Sequence, residues 1–168
     1  MSEIINRVAN SPIITIDLEA YYRKEERVVF DLKDYLFQGL VLREKDFRAA
    51  LKDLNWEDYK GKLVSIQCTE DAIVPVWAFI LVSTYLTKHQ IEHVIGDMAA
   101  LEQYLFEKAI SKIDSDEYKD RPVVIKGCSK YPIPMFAYGR VVSLIQGKAK
   151  SIMYGEPCST VPLFKAPK

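Results

Sequence analysis

The chain contains three cysteines, and each is followed by a hydroxyl residue and, within a few positions, by a proline. They occur in the strings CTEDAIVP, CSKYPIP and CSTVP, at Cys68, Cys128 and Cys158. A thiolate is both a nucleophile and a soft metal ligand, so this recurring pattern indicates sulfur or metal chemistry. The three thiols are therefore the first candidates for a functional site.

Two of these cysteines lie in matching surroundings, VSIQCTEDAIVPVWAF and VVIKGCSKYPIPMFAY. Each string begins with a β-branched run typical of a strand, continues through Cys68 or Cys128 to a proline, and ends in an apolar stretch typical of a helix. In open α/β sheets, ligands bind beyond the carboxyl ends of the strands. The similarity of the two strings fits two strand–helix units that are built alike.

Alternating strand and helix patterns along the chain predict a single three-layer α/β domain over residues 1–168, with a mostly parallel central sheet. The strand at 13–18 is expected as an antiparallel N-terminal edge. Further strands are predicted at 28–30, 63–67, 93–95, 122–126 and 149–153. Amphipathic or apolar spacing predicts helices at 44–54, 75–87 and 97–113, and a last helix that begins at Pro134. The tail from about Gly155 is predicted to be irregular.

Composition excludes several classes of protein. Lysine and arginine number 23, as do aspartate and glutamate, so no bulk attraction to nucleic acid is expected. No apolar run approaches the roughly 20 residues of a membrane span. The odd cysteine count and the absence of a secretory leader favour the reducing cytoplasm. The apolar helix after Pro75 and the aromatic N-terminal third predict a homodimer.

Charge is distributed unevenly around the cysteines. Six cations and no acid lie between Arg121 and Gly155, whereas seven acids and three lysines lie between Asp97 and Asp120. Positive charge near a thiol favours the thiolate. The alternative is a solvated basic face without a function.

The turns after parallel strands open at one edge of a sheet, so Cys68, Cys128 and Cys158 are expected to converge in one crevice. Three thiolates suit zinc, iron or an iron–sulfur cluster, and Asp71, Glu156, a water or a partner would supply the fourth ligand. A second hypothesis makes Cys128 a lone nucleophile. A third treats the cysteines as small packing residues.

Three neighbours single out Cys128 among the thiols as the candidate nucleophile. Gly127 precedes it, and the missing side chain is expected to let a substrate approach. Lys126 and Lys130 are near in sequence, and a helix follows within a few residues; cations and helix N-termini both lower the pKa of a thiol.

The string HQIEH matches the HxxEH pattern of one class of metalloproteases. That pattern works only on one continuous helix, where His89 and His93 would share a face. Here the predicted helix ends near His89 and a β-branched strand begins at His93, so the two rings are expected to diverge. The sequence therefore predicts two polar residues in a turn.

The strings VVFDLKDYLFQGLVLREKDFR, CTEDAIVPVWAF, VVIKGCSKYPIP and YGEPCSTVPL resemble those of a bacterial family of unknown function, domain of unknown function 2480. The resemblance runs from about Asn6 to Phe164, and the three cysteine motifs are its most specific part. Genes of this family often lie beside iron–sulfur cluster assembly genes. The resemblance thus implies sulfur or iron handling with iron–sulfur assembly proteins as partners.

Three functions remain open at the level of sequence. The first is an accessory protein of iron–sulfur cluster or sulfur metabolism, which binds a metal, a cluster or a sulfur-carrying partner through the three cysteines. The second is a thiol-dependent sulfur-transfer enzyme with Cys128 as its nucleophile. The third is a structural interaction protein whose cysteines are packing residues.

Overall fold

The computed structural model describes residues 12–127 and 130–167. Within this part of the chain helices alternate with mostly parallel strands, which confirms the predicted α/β class. Contacts divide the chain into two compact units. We call Met1–Tyr22 together with Leu105–Lys168 the terminal unit, and Arg23–Tyr104 the middle unit.

The described residues form nine strands, four α-helices and four 3₁₀ turns. The strands are β1 (Ile14–Asp17), β2 (Arg27–Asp31), β3 (Leu36–Phe37), β4 (Val41–Leu42), β5 (Leu63–Gln67), β6 (Glu92–Ile95), β7 (Pro122–Lys126), β8 (Ser151–Glu156) and β9 (Ser159–Lys165). The helices are α1 (Glu44–Asp53), α2 (Val76–Lys88), α3 (Met98–Ile110) and α4 (Met135–Ile145). The 3₁₀ turns are Leu18–Tyr21, Leu32–Tyr35, Trp56–Tyr59 and Ser115–Tyr118.

The middle unit contains a parallel sheet in the order β2, β5, β6. Helix α2 covers its core with Ala78, Val82 and Leu86, which repeat every four residues and are fully buried. The apolar sequence of this helix predicts burial between layers or at a subunit contact. Within the single chain, Val76 and Ile80 on another face of the helix are exposed.

Aromatic side chains fill the rest of the core in the middle unit. Phe30 stacks on Tyr35 at 5.5 Å and on Trp56 at 5.8 Å between ring centroids, and Trp56 stacks on Tyr85 at 5.0 Å. Burial, with smaller contributions from Tyr59 and Asp34, raises the pKa of Tyr35 to about 12. The aromatic residues of this segment therefore stabilise the core of the middle unit.

The terminal unit contains a sheet in the order β1, β7, β8, β9. The first three strands are parallel, and β9 pairs antiparallel with β8. The buried side chains of this sheet and of α4 form the core, together with the carboxyl half of α3. They include Ile16, Phe106, Ile110, Val123, Ile125, Ala137, Val141, Ile145 and Ile152.

Two expectations for the edges of the sheet are wrong. The tail from Gly155 is not irregular, because a two-residue turn at Pro157 and Cys158 returns the chain along β8 as β9. The antiparallel edge strand is therefore C-terminal. Strand β1 does lie at an edge, but it runs parallel to β7.

The first strand of each unit ends in the same way. Asp31 ends β2 and Asp17 ends β1, and each carboxylate accepts the backbone N–H of the residue two positions later, at the start of a 3₁₀ turn. Asp31 is also paired in register with Gln67 of β5, as Asp17 is with Lys126 of β7. These two strand ends are structurally equivalent.

Further along each unit, from a later 3₁₀ turn to the strand after the helix, equivalent residues are separated by one constant number of positions. A 3₁₀ turn, a strand, a cysteine-containing loop, a proline, a helix and a parallel strand follow one another in both. Tyr59, Pro75, Ala78, Val82 and Gly96 of the middle unit correspond to Tyr118, Pro134, Ala137, Val141 and Gly155 of the terminal unit. Gly96 and Gly155 both have positive φ, at 153° and 120°. The two units are therefore an internal repeat.

No α-helix within residues 12–127 and 130–167 has the length and apolar character needed to cross a bilayer.

Candidate functional site

Cys68 directly follows β5, at the carboxyl end of the parallel sheet of the middle unit. Its side chain is half-buried and packs against the core that contains Val64 and Ile66. The thiol donates a hydrogen bond to the Glu70 carbonyl over 3.6 Å.

Asp31 holds the residue that follows Cys68. One carboxylate oxygen accepts the Thr69 N–H at 3.1 Å and the Lys33 N–H at 3.0 Å, and the other accepts the Thr69 hydroxyl at 2.6 Å. Burial by itself would raise the pKa of Asp31, but these hydrogen bonds and the Lys33 ammonium lower the pKa overall. The ionised carboxylate therefore fixes the start of the loop that carries Cys68.

Cys128 and Ser129 lie outside the described residues, but the residues just after them are anchored. Glu19 accepts the backbone N–H groups of Lys130 at 2.9 Å and of Tyr131 at 3.2 Å. The Tyr131 ring stacks on Tyr22 with 4.5 Å between centroids. As in the middle unit, an acidic side chain beside the first strand holds the cysteine-containing loop.

Gly127 does not leave space for a substrate, so that expectation is wrong. The Tyr138 hydroxyl packs against its Cα, where an added Cβ would collide with it. Glycine is needed here because the side chain of α4 approaches the backbone closely. The position equivalent to Gly127 in the middle unit is Cys68.

Cys158 is exposed in the turn between β8 and β9. Near this turn, Lys126 at the end of β7 lies between two carboxylates. Its ammonium nitrogen is 3.4 Å from Asp17 Oδ2 and 3.8 Å from Glu156 Oε2. Glu156, predicted as a metal ligand, therefore neighbours a cation.

The cationic segment between Arg121 and Gly155 is partly neutralised within the terminal unit. Arg140 binds Glu107 with its Nε at 2.8 Å from the nearer carboxylate oxygen, and Lys148 Nζ lies 2.6 Å from Asp116. Both acids belong to the acidic stretch that precedes the segment. These ion pairs between neighbouring elements account for part of the uneven charge distribution in the sequence. An effect of the cations on the thiols would come in addition.

The three cysteines can be placed only in part. Cys68 belongs to the middle unit, Cys158 belongs to the terminal unit, and Cys128 lies outside the described residues. Asp71 is exposed in the loop after Cys68. Among residues 12–127 and 130–167, no three His, Cys, Asp or Glu side chains are grouped as metal ligands would be. Convergence of the three thiols remains a prediction.

The two histidines diverge as the sequence predicts. Helix α2 ends at Lys88, His89 caps it, and its ring stacks on Trp56. His93 lies in β6, where its Nδ1 is 2.8 Å from the Ile91 carbonyl and its Nε2 is 2.7 Å from the Ser83 hydroxyl. The HxxEH helix is therefore absent from this segment.

Asp31 and Glu19 are site residues that sequence reasoning missed. A signal was present, because Asp17-Leu18 and Asp31-Leu32 both follow a β-branched run and precede a tyrosine. The contacts from Asp31 and Glu19 to distant loops could not be inferred from that local pattern.

Comparison with curated proteins and with solved structures gives no match. A family model described as "Protein of unknown function (DUF2480)" matches residues 2–166, which is nearly the whole chain. The chain therefore belongs to the DUF2480 family.

Proposed function

We propose that this protein is a cytoplasmic accessory protein of iron–sulfur cluster or sulfur metabolism. It engages a sulfur-carrying protein partner, a metal or a cluster through Cys68, Cys128 and Cys158. Of these ligands, the geometry of the described residues supports a sulfur-carrying partner best. Iron–sulfur assembly proteins are the partners that fit this role.

The observation that carries the proposal is the anchoring of the loop at Cys68. The thiol stands at the carboxyl end of a parallel strand, where α/β folds bind ligands. Asp31 accepts two hydrogen bonds from Thr69, which order this loop. Ordered loops of this kind support a thiol that must meet a partner in one orientation.

Two further observations favour presentation of thiols to a partner. Cys158 is exposed at the tip of a two-residue turn, where another protein could reach its sulfur. The loop that carries Cys128 is anchored just beyond it by Glu19, as the Cys68 loop is by Asp31. Lys126 and Lys130 lie near Cys128 in sequence, and cations favour the thiolate.

For Cys68, but not for the other two cysteines, the second candidate function is a structural role. Its contact with the core and its hydrogen bond to the Glu70 carbonyl are typical of a packing cysteine. This role would leave Cys158 and Cys128 as the reactive thiols.

The proposal is tested by loading the protein with sulfur from glutathione persulfide without oxygen. The outer sulfur of the reagent bonds to a protein thiolate, and glutathione leaves as its thiol, so no oxidant is consumed. Peptide mapping by mass spectrometry then follows persulfide formation at each cysteine. The chain unfolded in urea is the matched control, because it presents the same thiols without their loops.

We expect at least one cysteine to be modified faster in the folded protein than in the unfolded chain. Modification confined to Cys128 would favour the sulfur-transfer enzyme. If all three thiols react more slowly in the folded protein, the cysteines are packing residues and the proposal fails.

A further inference from the structure

A serine and a histidine join helix α2 to strand β6 in the middle unit. The Ser83 hydroxyl lies 2.7 Å from His93 Nε2, and His93 Nδ1 lies 2.8 Å from the Ile91 carbonyl oxygen. A carbonyl oxygen only accepts hydrogen bonds, so Nδ1 carries the proton of the neutral ring and Nε2 accepts the Ser83 hydroxyl. A serine that donates to a histidine, whose ring is in turn oriented by a third group, is the arrangement of a nucleophile with its general base.

The internal repeat shows that the fold does not require this polar pair. The positions equivalent to Ser83 and His93 in the terminal unit are Val142 of α4 and Ile152 of β8. Ile152 is buried, and Val142 packs against the core of that unit. Two apolar side chains therefore serve at these positions in one copy of the repeat. Packing alone does not explain why the other copy has a serine and a histidine there.

Exposed apolar side chains share the faces of α2 and β6 that carry this pair. Val76 and Ile80 lie about two turns and one turn before Ser83, so the three residues share one face of the helix. Both are exposed, Ile80 to 51%. Ile95 lies two residues after His93 on the same face of the strand and is 47% exposed. An apolar group bound here would remove these side chains from water.

We propose that Ser83 and His93 form a reactive site, separate from the cysteines, that hydrolyses esters with an apolar acyl group. The Ser83 oxygen attacks the carbonyl carbon of the ester, and the hydroxyl proton passes to His93 Nε2. The alcohol leaves with that proton, and the acyl group remains on Ser83 as an ester. Water, deprotonated by His93 in the same way, then releases the carboxylic acid and restores the serine.

The first test treats the folded protein with an alkyl fluorophosphonate, which bonds through phosphorus to an activated serine oxygen and releases fluoride. Peptide mapping by mass spectrometry compares Ser83 with Ser143, an exposed serine of α4 whose hydroxyl donates to the Arg140 carbonyl. We expect Ser83 to react at least about 100-fold faster, since a general base contributes roughly 10²–10⁴ in rate. This advantage should be lost in His93→Ile and in the wild-type chain unfolded in urea.

His93→Ile introduces the residue that the terminal unit has at the equivalent position, so we expect it to fold, and circular dichroism checks this. If Ser83 of the wild type reacts no faster than Ser143, or if the folded His93→Ile reacts like the wild type, the proposal is overturned. The pair is then only a packing contact between α2 and β6.

The second test measures hydrolysis of p-nitrophenyl hexanoate and p-nitrophenyl acetate by the chain with all three cysteines replaced by serine, because free thiols also react with these esters. We expect faster turnover of the hexanoate, and a loss of about tenfold or more when Ser83→Val is added. Turnover that Ser83→Val leaves unchanged overturns the site. Turnover of the acetate as fast as that of the hexanoate overturns the assignment of an apolar acyl group.

Discussion

One carboxylate orders the loop at Cys68. Asp31 receives three hydrogen bonds from Lys33 and Thr69 and lies 3.5 Å from the Lys33 ammonium. Hydrogen bonds to a charged group contribute more to stability than hydrogen bonds between neutral groups. At the residue scale the loop at Cys68 therefore depends on a side chain that lies far from it in sequence.

Asp31→Asn should destabilise the folded protein by about 1–3 kcal/mol at pH 7, because it removes a charged acceptor. The folded-state pKa of Asp31 lies below its ordinary value of 3.8. Its contribution is therefore present above pH 3.8 and is lost as the pH falls through the lower folded-state pKa. Urea unfolding of wild type and variant at several pH values measures the difference.

Asp53→Asn is the control, since Asp53 is exposed and caps no loop in the described residues. Its effect should stay within about 0.5 kcal/mol, as is usual for surface positions. Equal stability of Asp31→Asn and wild type at pH 7, or a difference that grows in acid, would contradict the role given to Asp31.

At the scale of elements, local patterns predict the strands and helices well. β5 and β7 have the predicted bounds, and Asp97, where the sequence predicts the start of a helix, caps α3 by accepting the Ala100 N–H at 2.8 Å. The pairing of the strands is harder to predict from local patterns, because it depends on residues that are distant in sequence. The tail with three prolines after Gly155 reads as irregular, yet an edge strand tolerates proline where no ladder hydrogen bond is needed.

Only the part of the candidate site that is defined by residues adjacent in the chain could be predicted from the sequence. The cysteine strings identify the thiols and the strands before them. The space beside Gly127 is filled by Tyr138, which lies eleven positions later in the chain on α4. No periodicity in the sequence indicates that this helix approaches the strand so closely.

Gly127→Ala should destabilise the protein by about 1–3 kcal/mol, because its Cβ would collide with the Tyr138 hydroxyl. Gly139→Ala is the matched control within α4, since nothing lies near its Cβ position, and it should stabilise the helix by roughly 0.5–1 kcal/mol. Thermal unfolding of the wild type and of both variants measures these changes in stability.

Tyr138→Phe removes the hydroxyl and should recover part of the loss when combined with Gly127→Ala. The packing explanation does not hold if Gly127→Ala is as stable as Gly139→Ala. It also fails if Gly127→Ala/Tyr138→Phe loses more free energy of unfolding than the two single variants lose together.

At the scale of the whole molecule, one arrangement of strands and helices occurs twice. Each of the two units carries an acidic residue that anchors a cysteine-containing loop. This residue is Asp31 in the middle unit and Glu19 in the terminal unit. Similar sequence strings predict two units built alike, but only their common register and spacing identify a repeat.

The most direct test of a function carried by the cysteines measures the sulfur and metal bound to the protein when it is purified without oxygen. Wild type is compared with single serine variants at Cys68, Cys128 and Cys158 and with the triple variant, for sulfane sulfur, acid-labile sulfide, iron and zinc. We expect the wild type to retain at least one of these and the triple variant to retain none, because a hydroxyl binds neither soft metals nor sulfane sulfur as a thiolate does. Equal content in wild type and triple variant, or none in either after reconstitution with iron and sulfide, zinc or glutathione persulfide, would contradict a function carried by the cysteines.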